Sequence, residues 1–90
     1  MSNHIASPPQ VRAARGLLGW SQTTLASCSE LALQTVIRFE TGRGARVSEE
    51  SQAKITAALE AAGVEFIAEN GGGAGVRLRK PAARGTGKAP

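Results

Sequence analysis

The stretch Gly19-Trp20-Ser21-Gln22-Thr23-Thr24-Leu25-Ala26 and, after a short break, Thr35-Val36-Ile37-Arg38-Phe39-Glu40-Thr41-Gly42 decides how this chain folds. Ser21 is placed to cap a helix, because its hydroxyl can accept from an unpaired first-turn amide. Gln22, Thr23 and Thr24 fill that first turn, and Leu25, Ala26 and Ser29 give the helix a small inward side. A helix of about eight residues does not hold alone in water, so it must pack on neighbours. The break falls at 29–32. A further helix is expected from Leu33 to about Glu40, with Val36 and Phe39 inward, ended by Thr41-Gly42-Arg43-Gly44.

Outward from this pair the signals are local. Ser7-Pro8-Pro9-Gln10 reads as a helix start: Ser7 caps, proline suits a turn whose amides lack partners, and Gln10 completes a capping box. The periodicity then carries a first helix to about Leu18, with Val11, Ala14, Leu17 and Leu18 on one face and Gly19 ending it at positive φ. On the other side Ser48 caps a fourth helix, with Glu49 and Glu50 at the positive end of its dipole. Its expected inward set is Ala53, Ile55, Ala58, Leu59 and Ala62, and Gly63 terminates it.

The period then changes. Val64-Glu65-Phe66-Ile67-Ala68 has strand composition, Asn70 to Gly75 is an open turn, and Val76-Arg77-Leu78-Arg79 alternates apolar with basic. Val64, Phe66 and Ala68 share one strand face, and Val76 and Leu78 share another. The expected organisation is a flexible N-terminus over 1–6, a helical domain over 7–63, a hairpin over 64–80 and a disordered basic tail over 81–90.

Composition narrows the function classes. The chain has 90 residues, a formal net charge of +4 and 41% hydrophobic residues. That is one small domain with a modest core. Aromatics are 3%, namely Trp20, Phe39 and Phe66, too few for a stacking platform. A single cysteine, Cys28, excludes an internal disulfide framework and a cysteine-rich zinc site. With one histidine and no aspartate, acid–base or metal chemistry would rest on glutamate alone, so no enzyme activity, no metal and no cofactor are expected. No apolar run is long enough for a membrane span, and the first residues lack the charged-then-apolar pattern of a leader, so the expected compartment is the cytoplasm. Residues 71–90 hold Arg77, Arg79, Lys80, Arg84 and Lys88 and no acid, so this end can lie along a polyanion or act as a plain solubilising tail.

Two short helices joined by a tight turn suggest a helix-turn-helix. The two stretches quoted first closely resemble the phage repressor and Cro-like family of helix-turn-helix transcriptional regulators, also called the XRE family. The shared pattern is Ser/Thr-Gln opening one helix, Leu-Ala inside it, and a recognition helix ending in an aromatic or aliphatic residue, Glu, a small polar residue and Gly. It covers roughly residues 10–63. The resemblance implies a mainly α fold: a four- to five-helix repressor-like DNA-binding domain, here with a C-terminal β-hairpin appendage.

In such a domain the recognition helix turns its first turn to the major groove. That leaves Leu33, Gln34, Thr35 and Arg38 as expected base contacts. Gln34 can pair with adenine, Arg38 with guanine, and Leu33 and Ile37 can touch thymine methyls. The plain alternative is ordinary first-turn chemistry for Gln34 and Thr35 and a solvated side chain for Arg38. Gln22, Arg43 and Arg46 are expected phosphate contacts, with Arg12 a weaker one; phosphate contacts supply affinity rather than sequence choice. The family pattern also makes Gln22 a buttress of the recognition helix, and Arg15 and Glu40 an ion pair between the first helix and the end of the recognition helix. Two positions depart from the pattern: Glu30 stands where the family often has Gly, and Ala32 where it has a Ser or Thr cap. A positive φ at Glu30 would cost about 1–2 kcal/mol, and a missing cap about 1 kcal/mol.

The expected function is therefore sequence-specific binding of double-stranded DNA, as a dimeric repressor that occludes a promoter at a palindromic operator. Val64, Phe66, Val76 and Leu78 are the expected dimerisation residues, because an open hairpin edge invites pairing with a second copy. The competing expectation is an antitoxin or adaptor acting through a protein partner. Trp20 is expected to pack between the first two helices, and Cys28 has no basic neighbour in sequence to activate it.

Overall fold

Three serines set the frame of the computed structural model, which describes residues 5–42 and 47–79. Ser7 Oγ accepts from the Gln10 amide and opens α1 (Pro8–Leu18); Ser21 Oγ accepts from the Thr24 amide and opens α2 (Gln22–Ser29). Ser48 Oγ accepts from the Ser51 amide and opens α4 (Glu49–Ala61). The remaining helix, α3 (Leu33–Glu40), starts at Ala32 with no side-chain cap. β1 (Val64–Ile67) and β2 (Gly75–Leu78) complete the described elements as an antiparallel hairpin. The molecule is thus mainly helical with a small two-stranded sheet.

The core is aliphatic, as the composition requires. Val11 and Ala14 of α1, Leu25 and Ala26 of α2, Val36 and Phe39 of α3, Ile55 and Leu59 of α4, and Val64 of β1 meet in one cluster. Trp20 and Leu31, in the turns flanking α2, pack against it. Ala6 also belongs to the core, and its amide donates to Thr56 Oγ1 at 3.0 Å. Ala6, within the expected N-terminal segment 1–6, is thus packed, and residues 1–4 lie outside the described residues.

Two inward faces differ from expectation. Leu17 is exposed, because it lies at the rim of the α1 face centred on Val11, Ala14 and Leu18. In α4, Ala53 and Ala62 are exposed and Thr56 is buried instead. Thr56 can be buried because its hydroxyl is satisfied twice, accepting from Ala6 and donating to the Gln52 carbonyl at 3.2 Å.

α1 and α2 end in the same way. The Trp20 amide donates to the Arg15 carbonyl and the Gly19 amide to the Gly16 carbonyl, with Gly19 at φ 71°. One turn further on, the Leu31 amide donates to the Ala26 carbonyl and the Glu30 amide to the Ser27 carbonyl, with Glu30 at φ 61°. Each is a left-handed cap that satisfies two end carbonyls. Glycine accommodates it freely at position 19, whereas Glu30 is the one non-glycine residue with positive φ among the described residues. The turn keeps its shape and the domain carries the cost. Replacing Glu30 by glycine removes roughly 1–2 kcal/mol of strain but adds roughly 0.5–1 kcal/mol of unfolded-state entropy. The expected result for Glu30→Gly is a gain of about 0.5–1 kcal/mol, read as a higher urea midpoint with unchanged slope.

The hairpin docks on its own domain, with β2 along α1 and β1 along α4. Val64 faces Leu78 and Phe66 faces Val76, so the apolar residues share one side, as the alternation predicts. On the other side Arg77 Nε donates to Glu65 Oε1 at 2.6 Å. That bond and the Arg77 charge hold the exposed Glu65 carboxyl below its usual range. The strands are a residue out from the expected bounds at their loop ends: Ala68 lies outside β1 and Gly75 inside β2.

Docking also decides how much of the expected dimerisation set is left uncovered within the chain. Val64 is fully buried in its own core, and Phe66 and Val76 pack against that core. Leu78, 48% exposed, is the one residue of the four with a large free apolar surface. The reason is that a hairpin needs a covered face, and α1 and α4 supply it within the chain.

Candidate nucleic-acid interface

α3 has one inward and one outward side. Val36, Phe39 and Glu40 are buried, while Leu33, Gln34 and Arg38 are exposed and Thr35 and Ile37 are half-buried. Among the described residues the side chains of Gln34 and Arg38 make no hydrogen bond or ion pair. The structure thus brings Leu33, Gln34, Thr35 and Arg38 together over the first turns of one short helix. Arg43 and Arg46 lie outside the described residues.

The helix is held by its far end. Arg15 grips Glu40 through two bonds, Nε to Oε2 and Nη2 to Oε1, each 2.7 Å. Glu40 is 2% exposed at its side chain and Arg15 20%. The hydrogen bond from the guanidinium to this carboxylate, followed by their mutual attraction, holds the Arg15 pKa above its usual value despite partial burial. Arg15 Nη1 donates to the Trp20 carbonyl at 3.0 Å, which ties in the turn between α1 and α2. Gln22 Nε2 donates to Glu40 Oε1 at 3.1 Å, which ties in the start of α2. Arg12 Nη1 donates to the Glu40 backbone carbonyl. A cation at the last carbonyls of α3 also complements the negative end of its dipole.

These contacts sort the remaining expected residues. Arg15 and Glu40 form the pair that joins α1 to α3. Gln22 points its amide into this cluster, a buttress rather than a side chain aimed outward. Arg12 is engaged by the Glu40 carbonyl instead of standing free. Gln10 does more than close the capping box. Its Oε1 accepts from the Ser7 amide at 3.0 Å, as a capping box requires. Its Nε2 also donates to the Ile67 carbonyl at 3.3 Å and the Gly75 carbonyl at 2.9 Å. The capping pattern reveals the first half only; the second depends on where the hairpin docks.

Elsewhere the chemistry is sparse. A shallow cleft of about 280 Å³ runs between the end of α2 and α4, lined by Cys28, Ser29, Glu30, Lys54, Ala57 and Ala58. No cluster of His, Cys, Asp or Glu among the described residues can hold a metal ion, and no helix there is long and apolar enough to cross a membrane. No protein-family model matches the chain, and no curated protein matches it significantly.

Proposed function

We propose that the chain is a sequence-specific double-stranded DNA-binding regulator, with α3 as the element that enters the major groove. One observation carries this reading: α3 buries Val36, Phe39 and Glu40 while presenting Gln34 and Arg38 to solvent without an intramolecular partner among the described residues. An amide and a guanidinium four residues apart lie on one helix face. They are the side chains that pair bidentately with adenine and guanine edges. Leu33, 39% exposed beside them, suits a thymine methyl. A helix of this length spans about 12 Å, which the major groove admits. Arg43 and Arg46 are the proposed phosphate contacts, and Gln22 contributes through the amides of its helix start. The simplest action is occlusion of a promoter by a dimer. Two α3 helices would then sit about 34 Å apart on a palindromic site. Leu78, exposed on the hairpin, is the apolar surface proposed to meet a second copy.

The test is selection from a pool of random duplexes at near-physiological salt, then fluorescence anisotropy on the enriched duplex and a scrambled one. The expected result is selective binding that survives salt. Gln34→Ala and Arg38→Ala should each weaken it by about 1–3 kcal/mol, or about 5- to 150-fold, with unchanged helical content. An enriched palindrome identifies a dimer and a single half-site a monomer. Equal affinity for both duplexes, vanishing as salt rises, would overturn the reading.

A further inference from the structure

We propose that Asn70 is a modification site: it deamidates through its own backbone, giving aspartate and isoaspartate in the folded protein. The observation lies at the hairpin tip, independent of the DNA reading. Residues 68–74 join β1 to β2 outside the ladder, and all are exposed. Asn70 is followed by Gly71, which sits at φ 104°. A Cβ built on Gly71 would meet nothing within 4 Å, so no other part of the molecule crowds this side of the residue. Neither the Gly71 amide nor the Asn70 side chain has a hydrogen-bond partner among the described residues. The nucleophile, the electrophile and solvent are thus all available in one short segment, and glycine supplies the freedom to bring them together.

The reaction balances without any partner but water. The Gly71 amide loses its proton to solvent base, and its nitrogen attacks Asn70 Cγ. A Cγ–N bond forms, the Cγ–Nδ2 bond breaks, and ammonia leaves with the proton returned. Water then opens the five-membered imide at either carbonyl. Opening at one gives aspartate; opening at the other gives isoaspartate, with one extra carbon in the backbone. The net change is asparagine plus water to a carboxylate plus ammonia. The product places a carboxylate directly beside exposed Glu69 and lowers the net charge by one. It leaves the β1–β2 register and α3 untouched, since Asn70 belongs to neither.

The experiment ages the full chain at neutral and mildly alkaline pH at body temperature, with samples taken over days. Peptide mapping by mass spectrometry locates the exchange of an amide for a hydroxyl. A protein isoaspartyl methyltransferase with a labelled methyl donor reports the isoaspartate. The expected result is a mass gain confined to the peptide holding Asn70, faster in alkali, with methyl acceptance rising in step. Asn70→Gln should abolish both signals and leave the helical spectrum unchanged. A chain held in denaturant serves as reference. If Asn70 stays intact in the folded chain while the denatured reference deamidates, the loop protects it and the proposal fails. A mass gain only at other residues would overturn it equally.

Discussion

Arg15→Ala should destabilise the domain by about 3 kcal/mol, lowering the melting temperature by roughly 10–20 °C. The argument rests on what is left behind. Glu40 is 2% exposed, so its carboxylate has given up nearly all its water. Arg15 returns two short charge-assisted bonds, which are about twice as strong as neutral ones. Without them the carboxylate keeps only the Gln22 amide as a side-chain donor. Breaking a buried pair from one side costs about 3–5 kcal/mol, and the partial exposure of Arg15 places this pair at the low end. The double variant Arg15→Met/Glu40→Leu separates the two contributions. Replacing both partners by apolar groups removes the stranded charge, so the double variant should be more stable than Arg15→Ala alone. Thermal unfolding of the three proteins decides the matter, and an unchanged midpoint for Arg15→Ala would refute the assignment. On the DNA reading, the same variant should also bind more weakly, because α3 loses its fastening without losing a base contact.

Gln10→Glu is the second large effect, again about 3 kcal/mol of destabilisation. The substitution keeps the oxygen that accepts from Ser7. It replaces the amide nitrogen, which faces the Ile67 and Gly75 carbonyls, with a third oxygen. At 8% exposure that oxygen has little water to turn to. Burial and two facing carbonyls would push the new carboxyl above the ordinary glutamate range. A group whose folded pKa is raised favours folding in its protonated form, so the penalty should grow as pH rises through the carboxylate range. Gln10→Ala, which removes both bonds to the hairpin but adds no charge, should cost about 1–3 kcal/mol without that pH dependence. Urea titrations at acidic and neutral pH test both statements. Equal stability of the wild type and Gln10→Glu at neutral pH would show that the glutamine does not hold the hairpin.

Features written in neighbouring residues were legible in the sequence. Ser7, Ser21 and Ser48 each act through an amide three residues on, so the helix starts read directly. The change to strand period after Gly63 likewise marks the hairpin. Features that depend on docking were not. Leu17 and Ala53 are apolar at nearly the right spacing, but which part of a helix face is covered depends on what lies against it. Val64 and Phe66 alternate as a strand should, yet alternation does not say whether the covering surface comes from the same chain. The Arg15–Glu40 pair, 25 residues apart, was legible only through the family resemblance. The second half of the Gln10 contact, 57 and 65 residues away, had no local signal at all. For the proposed interface, periodicity gave the inward Val36 and Phe39, the resemblance gave the outward set on α3, and the contacts of Arg12 and Trp20 with the fastening at its far end became visible only in three dimensions.

The glutamine clasp on the hairpin has a use that concerns engineering. Because Gln10 binds the carbonyls of Ile67 and Gly75, the two ends of the connecting loop are tied to the body before the loop's own contents matter. Lengthening a flexible loop whose ends are already fixed adds only about 0.6 kcal/mol per doubling. Position 72, in the middle of that exposed loop, is therefore the natural port for a tag, a fluorophore or a whole inserted domain. Cargo placed there would ride on the molecule without entering its core.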